Sequence, residues 1–146
     1  MKINLKRVDD AFHFEAMNED GRTVHIDAGE KIGGKNKGVR PMQMLLMATA
    51  GCAAIDIISI LKKQRQEIKD FDIDVEGERE KAPSLKGEAT VFTEAQIHFK
   101  LKGKINPEKA KRATELSMKK YCSVAKTLRA AGAKIEYKIS INNQSV

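Results

Sequence analysis

Residues 44–61 read MLLMATAGCAAIDIISIL, an apolar run broken only by Thr49, Gly51, Asp56 and Ser59. Pro41 precedes it and suits the first turn of a helix, where no backbone donor is required. The pattern predicts one helix from Pro41 to about Glu67, some 27 residues and roughly 40 Å long at 1.5 Å per residue. A domain of this chain's size has a radius of gyration of only about 15 Å. Such a helix spans its domain, and apolar residues occupy nearly every face rather than one stripe. One sheet cannot cover it, so the reading is an obligate homodimer in which Cys52 lies near the subunit interface. The run is long enough to suggest a membrane span, but its polar interruptions and strand-like surroundings argue against one.

Outward from the helix, apolar residues alternate at the period of strands with one buried face. Ile3 and Leu5 mark a first strand, Phe12, Phe14 and Ala16 a second, and Val24, Ile26 and Ala28 a third, with a turn at Asn18–Gly21. A glycine- and lysine-rich loop, GEKIGGKNKGVR, leads into the helix. Beyond it, Phe71, Ile73 and Val75 alternate with Asp72, Asp74 and Glu76. The segment KAPSLKG reads as a loop, after which Val91, Ala95, Ile97, Phe99 and Leu101 line a fifth strand. Asn106, Pro107 and Glu108 form a helix start of cap, proline and first-turn acid, opening a basic helix to about Lys120. A short helix from about Ser123 to Ala131 ends at Gly132, and Ile135, Tyr137, Ile139 and Ile141 give a sixth strand. The fold class is α+β, order βββ-α-ββ-αα-β, with the long helix packed on antiparallel sheets in a single domain, 1–146.

The 146 residues carry a net charge of +7 and two cysteines. The first ten, MKINLKRVDD, turn polar too soon for a secretory signal. Cys52 and Cys122 are too few and too far apart for a disulfide scaffold or a zinc cluster, which suits a reducing cytoplasm. His13, His25 and His98 fall on polar strand positions with no metal-ligand spacing, so neither metal nor cofactor is expected. The positive charge is spread over solvent faces such as Lys62, Lys63, Lys109, Lys111 and Lys119. The loop GGKNKGVR offers a phosphate cradle but lacks a GK[ST] ending, and nucleic-acid binding is the remote alternative.

Cys52, taken by itself, is either an inert core residue or a guarded nucleophile. Cys122 precedes a helix whose N-terminus stabilises a thiolate. Asp56 shares the face of Cys52 one turn on, where its charge raises a thiol pKa, and a structural hydrogen bond or intersubunit contact is its expected role. Met42, Met44 and Met47 read as core or pocket lining.

The stretch RPMQMLLMATAGCAAIDIISILKKQRQ, followed about seventy residues later by KKYCSVAKTL and a terminal strand, resembles the OsmC/Ohr family of osmotically inducible and organic hydroperoxide resistance proteins, in its OsmC-like branch. The resemblance implies an intertwined α+β homodimer with active sites between subunits. In peroxidase members two cysteines reduce organic hydroperoxides without metal or flavin, and an external dithiol, commonly a dihydrolipoyl group on a protein, restores them. By that resemblance Cys52 matches the peroxidatic cysteine and Cys122 the resolving one. Family peroxidases add an arginine from the N-terminal region and a glutamate just after the helix-opening proline; here Met42 and Gln43 stand at those post-proline positions. Arg40 is the arginine nearest in sequence, beside Arg7 and Arg22, and Gln43 is a neutral substitute able to accept a hydrogen bond from a guanidinium. A non-catalytic OsmC-like protein that binds an apolar or thiol-bearing ligand at the dimer interface is the alternative.

Overall fold

The computed structural model describes residues 1–81 and 89–146; the expected loop KAPSLKG lies, beyond its first lysine, outside the described residues. The chain divides into two compact units, Met1–Leu45 and Leu46–Val146.

In the first unit β1 (Ile3–Arg7), β2 (Phe14–Asn18) and β3 (Thr23–Ile26) form an antiparallel meander. The expected turn is present: the Asn18 carboxamide accepts from the backbone N–H groups of Asp20 and Arg22, and Gly21 adopts φ +75°. Phe12 and Ala28 fall outside the strands, contrary to the alternation. Asp9 accepts from the Ala11 N–H at 2.9 Å and draws the chain before β2 into a turn, while Asp27 accepts from the Ala28 N–H at 2.7 Å and bends it away after β3. The face expected to be buried is only partly so: Ala16 is buried, but Ile3 is 60% and Leu5 55% exposed. A three-stranded sheet needs a second layer to bury a face.

The loop after β3 is organised by Asp27, which is 1% exposed. Its second carboxylate oxygen accepts from the N–H groups of Lys35 and Lys37 at 3.0 and 2.9 Å. Gly34 and Gly38 allow the close return of the chain: a Cβ at Gly34 would stand 1.9 Å from the Ala28 carbonyl oxygen, and one at Gly38 2.5 Å from the backbone of His25.

Helix α1 (Pro41–Lys63) runs from the first unit into the second. It stops short of the predicted Glu67 because Arg65 takes a left-handed φ of +56°. The Arg65 N–H then bonds to the Lys62 carbonyl and the Gln66 N–H to that of Leu61, a Schellman termination. Thr49, Ala53, Ile57 and Leu61 form the buried stripe, whereas Met47 and Ile55 remain 55% and 72% exposed. By length and composition alone α1 is apolar enough to cross a bilayer.

The second unit continues with β4 (Glu67–Lys81) and β5 (Thr90–Lys104), a long antiparallel pair, then α2 (Pro107–Leu116), a π-helical turn (Ser117–Tyr121), α3 (Ser123–Ala130), β6 (Lys134–Ile141) and β7 (Gln144–Ser145). The sheet order is β4-β5-β6-β7, and β6 pairs parallel to β5, so the sheet is mixed rather than antiparallel as expected. The helices between β5 and β6 supply the crossover that parallel pairing requires. Strand β7 was not legible; it follows a two-residue turn in which Asn142 and Asn143 both have positive φ. A bulge leaves Thr93 unpaired between Phe92 and Glu94 and inverts the alternation. Phe92, not Val91, therefore joins Ala95, Ile97, Phe99 and Leu101 in the core. Asn106 caps α2 as predicted, accepting from the Lys109 N–H at 3.1 Å.

Candidate functional site

Cys52 lies half-buried in the middle of α1, and Cys122 is fully buried at the N-cap of α3. Both are free thiols. Cys122 has extended backbone geometry (φ −63°, ψ 99°), which folds its sulfur back over the helix start to accept from the Ala125 N–H at 3.4 Å. The same sulfur sits 4.0 Å from the Thr49 carbonyl oxygen, one helical turn before Cys52, and the Cys52 thiol acts on it electrostatically. Thr49, Cys52 and Asp56 follow at spacings of three and four residues, which is one face of a helix.

The π-helical turn explains how Cys122 reaches that face. The Cys122 N–H bonds to the Ser117 carbonyl at 2.8 Å, a span of five residues that carries Cys122 round to the side of Ser117. Arg129 braces the turn from α3, donating to the Met118 carbonyl at 2.6 Å. The Ser117 hydroxyl has two acceptors on α1: the Asp56 carboxylate at 3.2 Å and the Ala53 carbonyl at 3.4 Å. Asp56 thus makes the hydrogen bond anticipated for it, to a serine that nothing in the sequence marks.

Burial pushes the Cys122 thiol up to about 11, against the pull of the Ala125 N–H; the Cys52 thiol and the Asp56 carboxylate push in the same direction as burial. This corrects the expectation of a thiolate stabilised by the helix end. One N–H at the mouth of an eight-residue helix does not compensate a fully desolvated sulfur.

The other sequence candidates lie in the first unit. Gln43 accepts from the Arg40 backbone N–H at 2.9 Å, the side-chain-to-N-cap half of a capping box at the start of α1. It holds the helix entrance rather than a guanidinium. Arg40 donates through its guanidinium to the Gly38 carbonyl at 3.0 Å and to the Asn36 side chain. Arg7 is likewise engaged locally, by the carbonyls of Ala11 and Asp10. In the loop considered as a phosphate cradle, the Lys35 and Lys37 amides already bind the chain's own Asp27 carboxylate. His13 and His25 hydrogen-bond to each other at 2.9 Å, and His98 to Ser140 at 3.0 Å. No group of three or more histidine, cysteine or acidic side chains suited to a metal occurs among the described residues.

Two apposed thiols, one on a long apolar helix and one capping a short helix, in an α+β chain with a crossover strand, define the class: a two-cysteine α+β protein. Residues 34–138 match the family described as OsmC-like protein, and the chain belongs to that family. Protein YhfA of Escherichia coli K12 is 43% identical over 98 residues, covering 66% of this chain and 69% of that protein. The fold is similar to that of an OsmC like protein from Mycoplasma pneumoniae, with a TM-score of 0.77 at 19% identity over 96% of this chain and 95% of that one. It is also similar to an organic hydroperoxide resistance protein OsmC from Legionella pneumophila, with a TM-score of 0.65 at 17% identity over 97% and 96%. At those identities the likeness is one of fold. The expected family and the α+β order with its long central helix are therefore established.

Proposed function

We propose that this OsmC-like protein is a thiol-dependent peroxidase for organic hydroperoxides, with Cys52 as the attacking thiol and Cys122 as the resolving one. The observation that carries the reading is the placement of the Cys122 sulfur against the face of α1 that bears Cys52, 4.0 Å from the Thr49 carbonyl. The Cys52 thiolate attacks the peroxide, the O–O bond breaks, the alkoxide leaves as an alcohol after taking a proton, and Cys52 becomes a sulfenic acid. The Cys122 sulfur then attacks the oxidised sulfur, giving a disulfide and water. An external dithiol, such as a dihydrolipoyl group on a protein, returns both thiols by exchange. The two cysteines carry all the electrons, so the cycle needs no cofactor. At the entrance of α1 Gln43 fixes the backbone of Arg40.

In this reading residues 1–146 act as one OsmC-like domain in a homodimer within a reducing cytoplasm. The exposed apolar side chains of Met47 and Ile55 on α1, and of Ile3 and Leu5 on β1, support the dimer, since exposed apolar surface of this kind marks interfaces. A second reading, an OsmC-like protein that binds an apolar or thiol-bearing ligand without turnover, draws support from Met42 and Gln43, which bring no charge where the peroxidase pattern has an acid.

The readings separate when the reduced protein meets cumene hydroperoxide. The peroxidase loses two hydrogens by intact mass and yields a Cys52–Cys122 linked peptide, and Cys52→Ser abolishes dithiol-dependent turnover. Thiols unchanged at peroxide levels that oxidise free cysteine remove the enzymatic reading.

A further inference from the structure

Asp56 is the one acid in the apolar run of residues 44–61. It lies half-buried, one helical turn beyond Cys52. A carboxylate in such surroundings ordinarily recruits a cation. No lysine, arginine or histidine forms an ion pair with Asp56 among the described residues; its hydrogen-bond partner is the fully buried Ser117 hydroxyl at 3.2 Å. That hydroxyl is presented by the same π-helical turn that carries Cys122.

We infer that Asp56 is the positioning residue of the thiol pair: anchored by Ser117, its carboxylate keeps the proton on Cys122, so that Cys52 attacks first and Cys122 second. The inference rests on Cys52 and Cys122 acting as a redox pair and deepens that reading. A fixed negative charge beside two thiols opposes a second one, and it weighs most on the sulfur with least solvent. Cys122 is fully buried and Cys52 is not. The charged and titratable groups nearest Cys122 agree with this account. From α1, Cys52 and Asp56 act on it, Asp56 through the turn that its Ser117 contact ties to the helix. On the π-helical turn Lys119 is paired with Glu115 at 2.9 Å and Lys120 lies over the Tyr121 ring, while on α3 Arg129 is spent on the Met118 carbonyl.

The test uses 2,2′-dithiodipyridine, which reacts without any hydroperoxide. Cys52 attacks the reagent, releasing one pyridinethione and leaving a mixed disulfide; Cys122 then displaces the second pyridinethione as the protein disulfide closes. Stopped-flow absorbance resolves the two releases across pH. Asp56→Asn is expected to lower the pH midpoint of the second phase by about one unit, close to a tenfold faster closure below both midpoints. Ser117→Ala, which frees the carboxylate, is expected to move it the same way by less, and Asp56→Glu to keep it near that of the parent protein. A midpoint that is unmoved or raised in both Asp56→Asn and Ser117→Ala overturns the inference, as does the absence of a second phase in the parent protein. Since the far-ultraviolet spectrum reports whether each variant folds, Ser117→Ala decides the matter if Asp56→Asn does not fold. A lowered midpoint in a protein inert to cumene hydroperoxide supports the role of Asp56 and removes the peroxidase; an unmoved midpoint in an active peroxidase does the reverse.

Discussion

Cys122 has a structural role besides its proposed chemistry, because its sulfur accepts the Ala125 N–H at the start of α3. Serine keeps an acceptor there and alanine does not. Cys122→Ala is therefore expected to be less stable than Cys122→Ser by about 1 kcal/mol, the usual worth of an N-cap, measured from urea unfolding. Asp27 gives a pH-dependent case. The Lys37 N–H, with those of Lys35 and Ala28, holds its carboxyl below the ordinary range against the cost of burial. A group depressed on folding stabilises the folded chain above its unfolded pKa, near 3.9, and that contribution is lost as pH falls through the lower folded value. Hydrogen exchange at the Lys35 and Lys37 amides is expected to stay protected through the ordinary carboxylate range and to lose protection only as pH falls below it, through the lowered folded value. Asp27→Ala is expected to lose it already at neutral pH; amides that stay protected in both cases refute this assignment. The two cysteines stood out in the sequence because a thiol in an apolar helix and one before a helix start are local patterns. Ser117 had no such mark, since its importance comes from contacts across about sixty residues of chain.

Element boundaries followed local chemistry where a cap or turn residue declared itself, as at Asn18, Asn106 and Gly132. They escaped the sequence where the backbone departed from its period. The bulge at Thr93 inverted the buried face of β5, the left-handed Arg65 cut α1 short, and the π-helical turn replaced the last turns expected of α2. A bulge is a matter of pairing with the neighbouring strand, which the alternation of one strand read alone does not fix. Helix α1 also carries a prediction about assembly. Gly51 faces open space, with nothing within 4 Å of a Cβ built there. Gly51→Leu should therefore leave the fold of the chain intact while weakening the proposed dimer at least tenfold, the effect of about 1.4 kcal/mol, seen as concentration-dependent sedimentation. An unchanged dimer moves the interface off this face; a chain sedimenting at 16.2 kDa without the substitution dispenses with the dimer.

Across the whole chain the 27 lysines and arginines are less available than their number suggests. On the outer face of the larger sheet Lys102 pairs with Asp70 at 3.2 Å, and Lys100 bonds to both Asp72 and Asp74. With the loop amides bound by Asp27 as well, RNA and DNA are not expected to be retained at about 0.15 M salt, where screening acts within roughly 8 Å. Retention at that salt would return nucleic-acid binding to consideration. The family was legible because its motif lies within one helix and one helix start. The parallel placement of β6 was not, because pairing partners such as Leu101 and Ile141 stand forty residues apart. That pairing also sets an order of events during synthesis. A parallel strand gains its ladder only after the intervening chain has closed the loop, which makes such contacts late ones. Cys122 travels in that intervening segment, so Cys52 leaves the ribosome as a solitary thiol, and maturation of the crossover is what brings the second thiol to it.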